Sequence, residues 1–145
     1  MLLNLLLNVV LVIACVFIHY EVLRSTSGLI GRLTIPPRPR VLVVIAAVFL
    51  AHTLEIYLYA TAYLLAENLG IGGLVGTLEH RFNDYLYFSA STYSSLGYGD
   101  IFPVGGLRMM AGIETLAGLL LIGWSASFTY LAMEKFWGLH GPRPR

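Results

Sequence analysis

Three long apolar stretches constrain this chain more than any other feature. They run from about Leu2 to Leu23, from Val41 to about Ala66 and from about Leu107 to Leu131. Each reaches or exceeds the roughly 20 residues that span a hydrocarbon core of ~30 Å, so each is predicted to be a transmembrane helix. With 57% hydrophobic and 12% charged residues among 145, the chain has too little charge to cover a soluble domain. A cleaved signal peptide is a poor reading of the first stretch. No positive residue precedes it, and the apolar run exceeds an h-region of roughly 7–15 residues. The net charge of +1 gives no reason to expect nucleic-acid binding. Cys15 is the single cysteine, so no disulfide forms within the chain.

The loops differ in charge. Arg24, Arg32, Arg38 and Arg40 lie between the first two stretches, and Lys135, Arg143 and Arg145 follow the third. Residues 67–106 hold only Arg81 among several acids. Basic loops favour the cytoplasm. The expected topology puts the N-terminus and residues 67–106 outside a cell membrane and the C-terminus inside. Ile35-Pro36-Pro37-Arg38-Pro39-Arg40 reads as a stiff connector. No stretch carries the arginine repeat of a voltage sensor.

Residues 67–106 are too long for a simple turn. Gly70, Gly72, Gly73 and Gly76 suggest a flexible turret. Asn83 or Asp84 offers an N-cap, and the run from Tyr85 to about Ser94 is apolar but too short to cross a bilayer. Ser95-Leu96-Gly97-Tyr98-Gly99-Asp100 follows directly, and Pro103 is expected to end regular structure. A short helix and an irregular glycine-containing strand at membrane depth make a re-entrant loop, which is tolerated where protein buries it or water lines it. Backbone carbonyls that all point one way can replace the hydration shell of a cation. An L-residue strand alternates its carbonyls, so some positions need φ > 0, which glycine adopts at no steric cost. Gly97 and Gly99 sit at alternate positions. The carbonyls of Ser95, Leu96, Gly97 and Tyr98 would then face a pore, and the side chains of Leu96 and Tyr98 would pack on the short helix. One chain supplies one strand, so four chains must surround the axis.

Thr92-Tyr93-Ser94-Ser95-Leu96-Gly97-Tyr98-Gly99-Asp100 resembles the signature Thr-x-x-Thr-Val-Gly-Tyr-Gly-Asp of the potassium-channel pore-domain family. The resemblance covers the second and third stretches and the segment between them. It implies an all-α membrane protein with three transmembrane helices, a re-entrant pore helix and a filter loop, assembled as a fourfold homotetramer in a lipid bilayer. Its parts would be an N-terminal transmembrane helix (1–23), a cytoplasmic Pro/Arg-rich linker (24–40), a pore domain (41–134) and a cytoplasmic tail (135–145). Within the pore domain the reading gives an outer helix (41–66), a turret (67–83), a pore helix (84–94), a filter (95–100) and an inner helix (107–134). The resemblance implies K⁺ coordination at Ser95, Leu96, Gly97, Tyr98 and Gly99, filter support from Thr92 and Asp100, and a gating hinge at Gly118. The N-terminal helix lies outside the family's two-helix pattern. Ser95 stands for the usual threonine, Leu96 for valine or isoleucine, and Tyr87 and Phe88 for tryptophans. A weakly selective monovalent cation channel is one alternative, and a non-conducting scaffold or modulatory subunit is another. Neither an enzymatic activity nor a small-molecule substrate is expected, because no His/Cys/carboxylate cluster has a catalytic or metal-ligand spacing in sequence.

Three further expectations concern polar groups inside the apolar stretches. Glu114 is expected to bond to Ser91, Thr92 or Ser94 and brace the filter from behind. His52 and Glu55, three apart, are expected to form a hydrogen-bonded pair. Asn4, Asn8, Cys15 and His19 fall on one face of the first helix, the face expected to pack on the other two.

Overall fold

The computed structural model describes residues 2–138. Four helices and a two-stranded ribbon follow one another: α1 (Leu2–Ile30), α2 (Arg40–Asn68), β1 (Gly72–Gly76), α3 (Phe82–Tyr93), β2 (Ile101–Gly105) and α4 (Leu107–Trp137). Helices α1, α2 and α4 are each long and apolar enough to cross a membrane. At ~1.5 Å per residue they measure about 43–47 Å. They are apolar on most faces because lipid, not water, is the solvent for the faces that make no protein contact. The fold is an all-α membrane fold.

Helix α1 does not end at residue 23 as expected but continues seven residues, to Ile30. The polar run 24–27 stays helical because its groups are satisfied locally. Thr26 Oγ1 donates to the Val22 carbonyl at 2.6 Å, and Arg24 pairs with Glu21 at 3.1 Å. The connector therefore shrinks to residues 31–39. There Arg40 donates to the carbonyls of Ile35 and Leu33, and Trp137 Nε1 donates to the Arg38 carbonyl at 3.3 Å. At the other end of the bundle Asn4 Nδ2 donates to the Gly106 carbonyl at 2.9 Å. The start of α1 thus shares one end with the start of α4, and the α1–α2 connector shares the other with the end of α4. Helix α4 extends three residues past its expected end at 134. Residues 139–145 of the expected tail lie outside the described residues.

The buried face of α1 is the stripe Asn8, Leu11, Cys15, His19, Leu23, Thr26 and Ile30. It packs on both α2 and α4, the arrangement expected from helical spacing. Helix α3 sits between α2 and α4, its aromatic side chains Tyr85 and Phe88 in the same core as Tyr59, Tyr63 and Met110.

Two expectations for the 67–106 segment are corrected. The glycine-rich turret is an ordered strand: β1 pairs antiparallel with β2, Gly72 opposite Gly105 and Gly76 opposite Ile101. Gly72 and Gly76 serve close approach: a Cβ at Gly72 would meet the Gly106 nitrogen at 2.9 Å, and one at Gly76 would strike the Asp100 carbonyl. Glu67 fixes the turn by accepting the Leu74 amide at 3.2 Å. Pro103 does not end regular structure but lies within β2 opposite Leu74. A ribbon of two strands has an outer edge where a missing N–H costs nothing. The cap of α3 also differs. Arg81 is the N-cap residue, and Asp84 acts from the third helical position, accepting the amides of Arg81 at 3.0 Å and Glu79 at 2.9 Å.

Candidate pore segment and its support

Helix α3 ends at Tyr93, and the chain after it folds back onto the helix's last carbonyls. The Ser95 amide donates to the Thr92 carbonyl at 3.0 Å, and the Leu96 and Gly97 amides both donate to Ser91, at 2.9 and 3.3 Å. The Tyr98 amide approaches Ser91 Oγ at 3.4 Å. These bonds satisfy carbonyls that a helix C-terminus leaves without partners, and they fix where the following strand begins. Ser91 is the hub of this arrangement, which spacing alone did not single out. Thr92 takes part through its carbonyl, which also accepts Thr115 Oγ1 of α4 at 3.1 Å.

The backbone angle φ is +60° at Ser95, +55° at Gly97 and +82° at Gly99, and positive at neither Leu96 nor Tyr98. The alternation predicted from two glycines therefore extends to a third residue, a serine. A side chain in the left-handed region costs about 1–2 kcal/mol. Nothing lies within 4 Å of a Cβ placed on Gly97 or Gly99, so backbone conformation and not space calls for glycine there.

The outer end of the strand is tied to α3 by Tyr87. Its hydroxyl lies 3.0 Å from both carboxylate oxygens of Asp100. Its ring stacks on Tyr98, with centroids 6.2 Å apart and planes 8° apart. The Asp100 carbonyl accepts the Thr77 amide at 3.0 Å. Tyr98 thus rests on α3 as expected but remains 67% exposed in the single chain. Leu96, expected on α3 as well, is 57% exposed.

Glu114 is buried, and its partners are not those expected. Ser89 Oγ donates to one carboxylate oxygen and the Tyr63 hydroxyl to the other, each at 2.5 Å. Ser91, Thr92 and Ser94 are not its partners: Ser91 Oγ lies toward the Tyr98 amide, and Ser94 back-bonds to the Ala90 carbonyl at 2.7 Å. Glu114 therefore locks α3 to α2 and α4 along its middle. Gly118, one turn further along α4, lies against the Tyr93 carbonyl. Close packing accounts for glycine there, and α4 is continuous through it.

A second polar cluster sits beside the end of α3. His52 and Glu55 do meet, at 3.3 Å, but within a larger set. His19 Nδ1 lies 2.9 Å from Glu55 Oε1, and the Tyr93 hydroxyl donates to Glu55 Oε2. His52 Nδ1 lies 2.7 Å from that hydroxyl, and Ser125 Oγ lies 3.2 Å from His19 Nε2 and 3.0 Å from His52 Nε2. The metal-competent atoms of His19, His52 and Glu55 lie within 4.8 Å of one another, which corrects the expectation that the chain holds no such cluster. Sequence hid it because His19 stands 36 positions before Glu55. The one legible part was the three-residue spacing of His52 and Glu55 on a shared helical face.

Comparison with known proteins agrees with this architecture. Residues 41–135 match the family described as ion channel, a stretch that takes in α2, both strands, α3 and nearly all of α4. The chain belongs to that family. Over 90 residues it is 29% identical to the inward rectifier potassium channel Kirbac3.1 of Paramagnetospirillum magnetotacticum, covering 61% of this chain and 30% of that protein. The chain thus spans under a third of that relative's length. No solved structure matches it. Helix α1 lies outside the family match.

Proposed function

We propose that this chain is one subunit of a homotetrameric channel that passes potassium ions down their gradient, with Ser95 to Asp100 as the selectivity filter. The observation that carries this reading is the alternation of positive φ at Ser95, Gly97 and Gly99 directly after a short helix that does not cross the membrane. Alternating left-handed residues turn successive carbonyls to one side, which is what a ring of cation-coordinating oxygens requires. The carbonyls of Ser95, Leu96, Gly97 and Tyr98 would hold the ion, and the Gly99 carbonyl would face the outer mouth. One strand encloses nothing, so four copies would surround the axis. The exposed side chains of Leu96 and Tyr98 would then be covered by neighbouring copies. The C-terminal end of α3, with roughly half a negative elementary charge, would favour a cation at the inner mouth. Gly118 remains a candidate hinge as well as a packing position. The N-terminus and the β1–β2 ribbon would face outside and the C-terminus the cytoplasm, with little voltage dependence.

A flux assay on the purified protein in liposomes tests this reading. K⁺ flux that exceeds Na⁺ flux and excludes a large organic cation is expected. Equal K⁺ and Na⁺ flux would point instead to a weakly selective cation channel. No flux of any cation would favour a scaffold or modulatory subunit.

A further inference from the structure

The cluster beside the end of α3 is a closed ring. Going round it, Glu55 contacts His19, His19 contacts Ser125, Ser125 contacts His52, His52 contacts Tyr93 and Tyr93 returns to Glu55. It draws on α1, α2, α3 and α4, and Glu55 and His19 are fully buried. Each of these five contacts is a hydrogen bond only if one proton lies between its two heavy atoms. The serine and tyrosine hydroxyls bring one proton each, and two neutral imidazoles bring one each. Ionised Glu55 brings none. The ring has five contacts and four protons, and the longer contact across it, His52 Nδ1 to Glu55 Oε2 at 3.3 Å, shares the His52 Nδ1 proton with the Tyr93 contact and adds none to the count.

We infer that this ring is a proton-binding site that holds one proton beyond those of an ionised Glu55 and two neutral histidines. In one arrangement, Tyr93 donates to Glu55 Oε2, His52 Nδ1–H to the Tyr93 oxygen, and Ser125 O–H to His52 Nε2. His19 completes it by donating from both nitrogens, to Ser125 Oγ and to Glu55 Oε1. Moving the extra proton from His19 to Glu55, or running the ring the other way to place it on His52, keeps the count. With five protons the ring is electrically neutral, which suits a site at membrane depth, where an unpaired charge is expensive. With four it carries one negative charge, and one contact becomes two acceptors facing each other. The Tyr93 hydroxyl keeps its own proton throughout.

The surroundings supply no alternative counter-charge. Among the described residues, the titratable groups that act on the ring from outside it are Cys15 from α1 and Glu114 from α4, and neither is basic. A transition-metal ion could use the same nitrogens and carboxylate. Each of these atoms lies 2.7–3.3 Å from a protein partner, distances at which a proton is shared, and metal binding is the competing outcome of the test below. The bound proton has a structural consequence. Tyr93 is the last residue of α3, two before Ser95, so the ring fastens the end of that helix to all three long helices. Loss of the proton opens one link.

Trp124 provides the readout, because its ring lies 5.2 Å from that of His19 and a protonated imidazole quenches indole emission more strongly than a neutral one. The full chain carrying Trp137→Phe leaves Trp124 as the sole tryptophan. In lipid nanodiscs its emission should rise in a single one-proton transition as pH goes from about 5 to about 10. Glu55→Gln supplies the fifth proton from its own amide. Glu55→Gln should lose the transition. Ser125→Ala removes the contact that needs the extra proton but leaves the Glu55 charge in place, so its transition should move to lower pH. Emission that is flat in the parent, a transition that persists in Glu55→Gln, an unmoved transition in Ser125→Ala, or one equivalent of bound transition metal per chain would each overturn the assignment. The readout does not depend on ion conduction, so the ring and the proposed channel activity stand or fall separately.

Discussion

Gly118 of α4 lies in contact with the end of α3: a β-carbon there would overlap the Tyr93 carbonyl oxygen and come within 3.1 Å of the Tyr93 ring. Helix α4 crosses the end of the short helix with no space for a methyl group, and this contact sets the spacing of the two.

Gly118→Ala is therefore expected to destabilise the folded protein by about 1–3 kcal/mol, the usual cost of overpacking. Thermal unfolding in detergent measures it. Unchanged stability with altered opening would favour the hinge reading. Among the described residues Gly112 meets nothing within 4 Å, so a loss of stability in Gly112→Ala would point to a contact between chains.

The Ser89–Glu114–Tyr63 contact predicts non-additive losses. Tyr63→Phe leaves one carboxylate oxygen without a donor, a loss of about 1–3 kcal/mol. Ser89→Ala removes the other donor, and the double variant should differ from the sum of the singles, since all three groups share one network. Glu114→Gln keeps shape and hydrogen bonding and should cost less than Glu114→Ala. A double-mutant cycle on thermal stability checks both expectations, and strict additivity would show that Glu114 does not couple α2 to α3.

Gly99→Ala places a β-carbon at φ +82° where space exists but the conformation is disfavoured by about 1–2 kcal/mol. Folding and assembly should survive while K⁺ over Na⁺ discrimination in liposomes is lost. Retained discrimination would remove Gly99 from the pore.

Tyr87→Phe keeps the stack on Tyr98 but deletes both contacts to Asp100. Flux that starts normally and decays faster than in the parent is expected, because the outer end of the strand loses its tie to α3. A time course of K⁺ uptake reads this, and an unaltered decay would show that Asp100 is held by other means.

The membrane helices and the short helix were legible because each depends on local pattern: apolar length, a polar start, glycine at alternate positions. The pair His52–Glu55 was legible for the same reason. What sequence did not disclose depends on contacts between elements. The Glu114 donors were sought beside the strand, but the helix presents Ser89 and not Ser91 to α4, a difference of half a helical turn that no spacing rule decides. The order of the turret is not legible because glycine count cannot tell a loose loop from a ribbon that needs glycine at two positions, Gly72 and Gly76, where a β-carbon would strike the opposite strand. The left-handed backbone of Ser95 is not legible either, since residue type gives no cue for a non-glycine at φ +60°. His19 met Glu55 only once the helices were packed.

The position of α1 bears on modularity. The residues shared with the ion-channel family begin at 41, yet the polar interior of that portion is completed from outside it. Asn4 holds the residue that opens α4, and His19 closes the ring around Glu55. A fragment starting at residue 41 would turn a buried carboxylate toward hydrocarbon with one of its partners gone. In this chain the portion shared with the family draws part of its buried polar bonding from the N-terminal helix, which packs into the bundle as one of its walls.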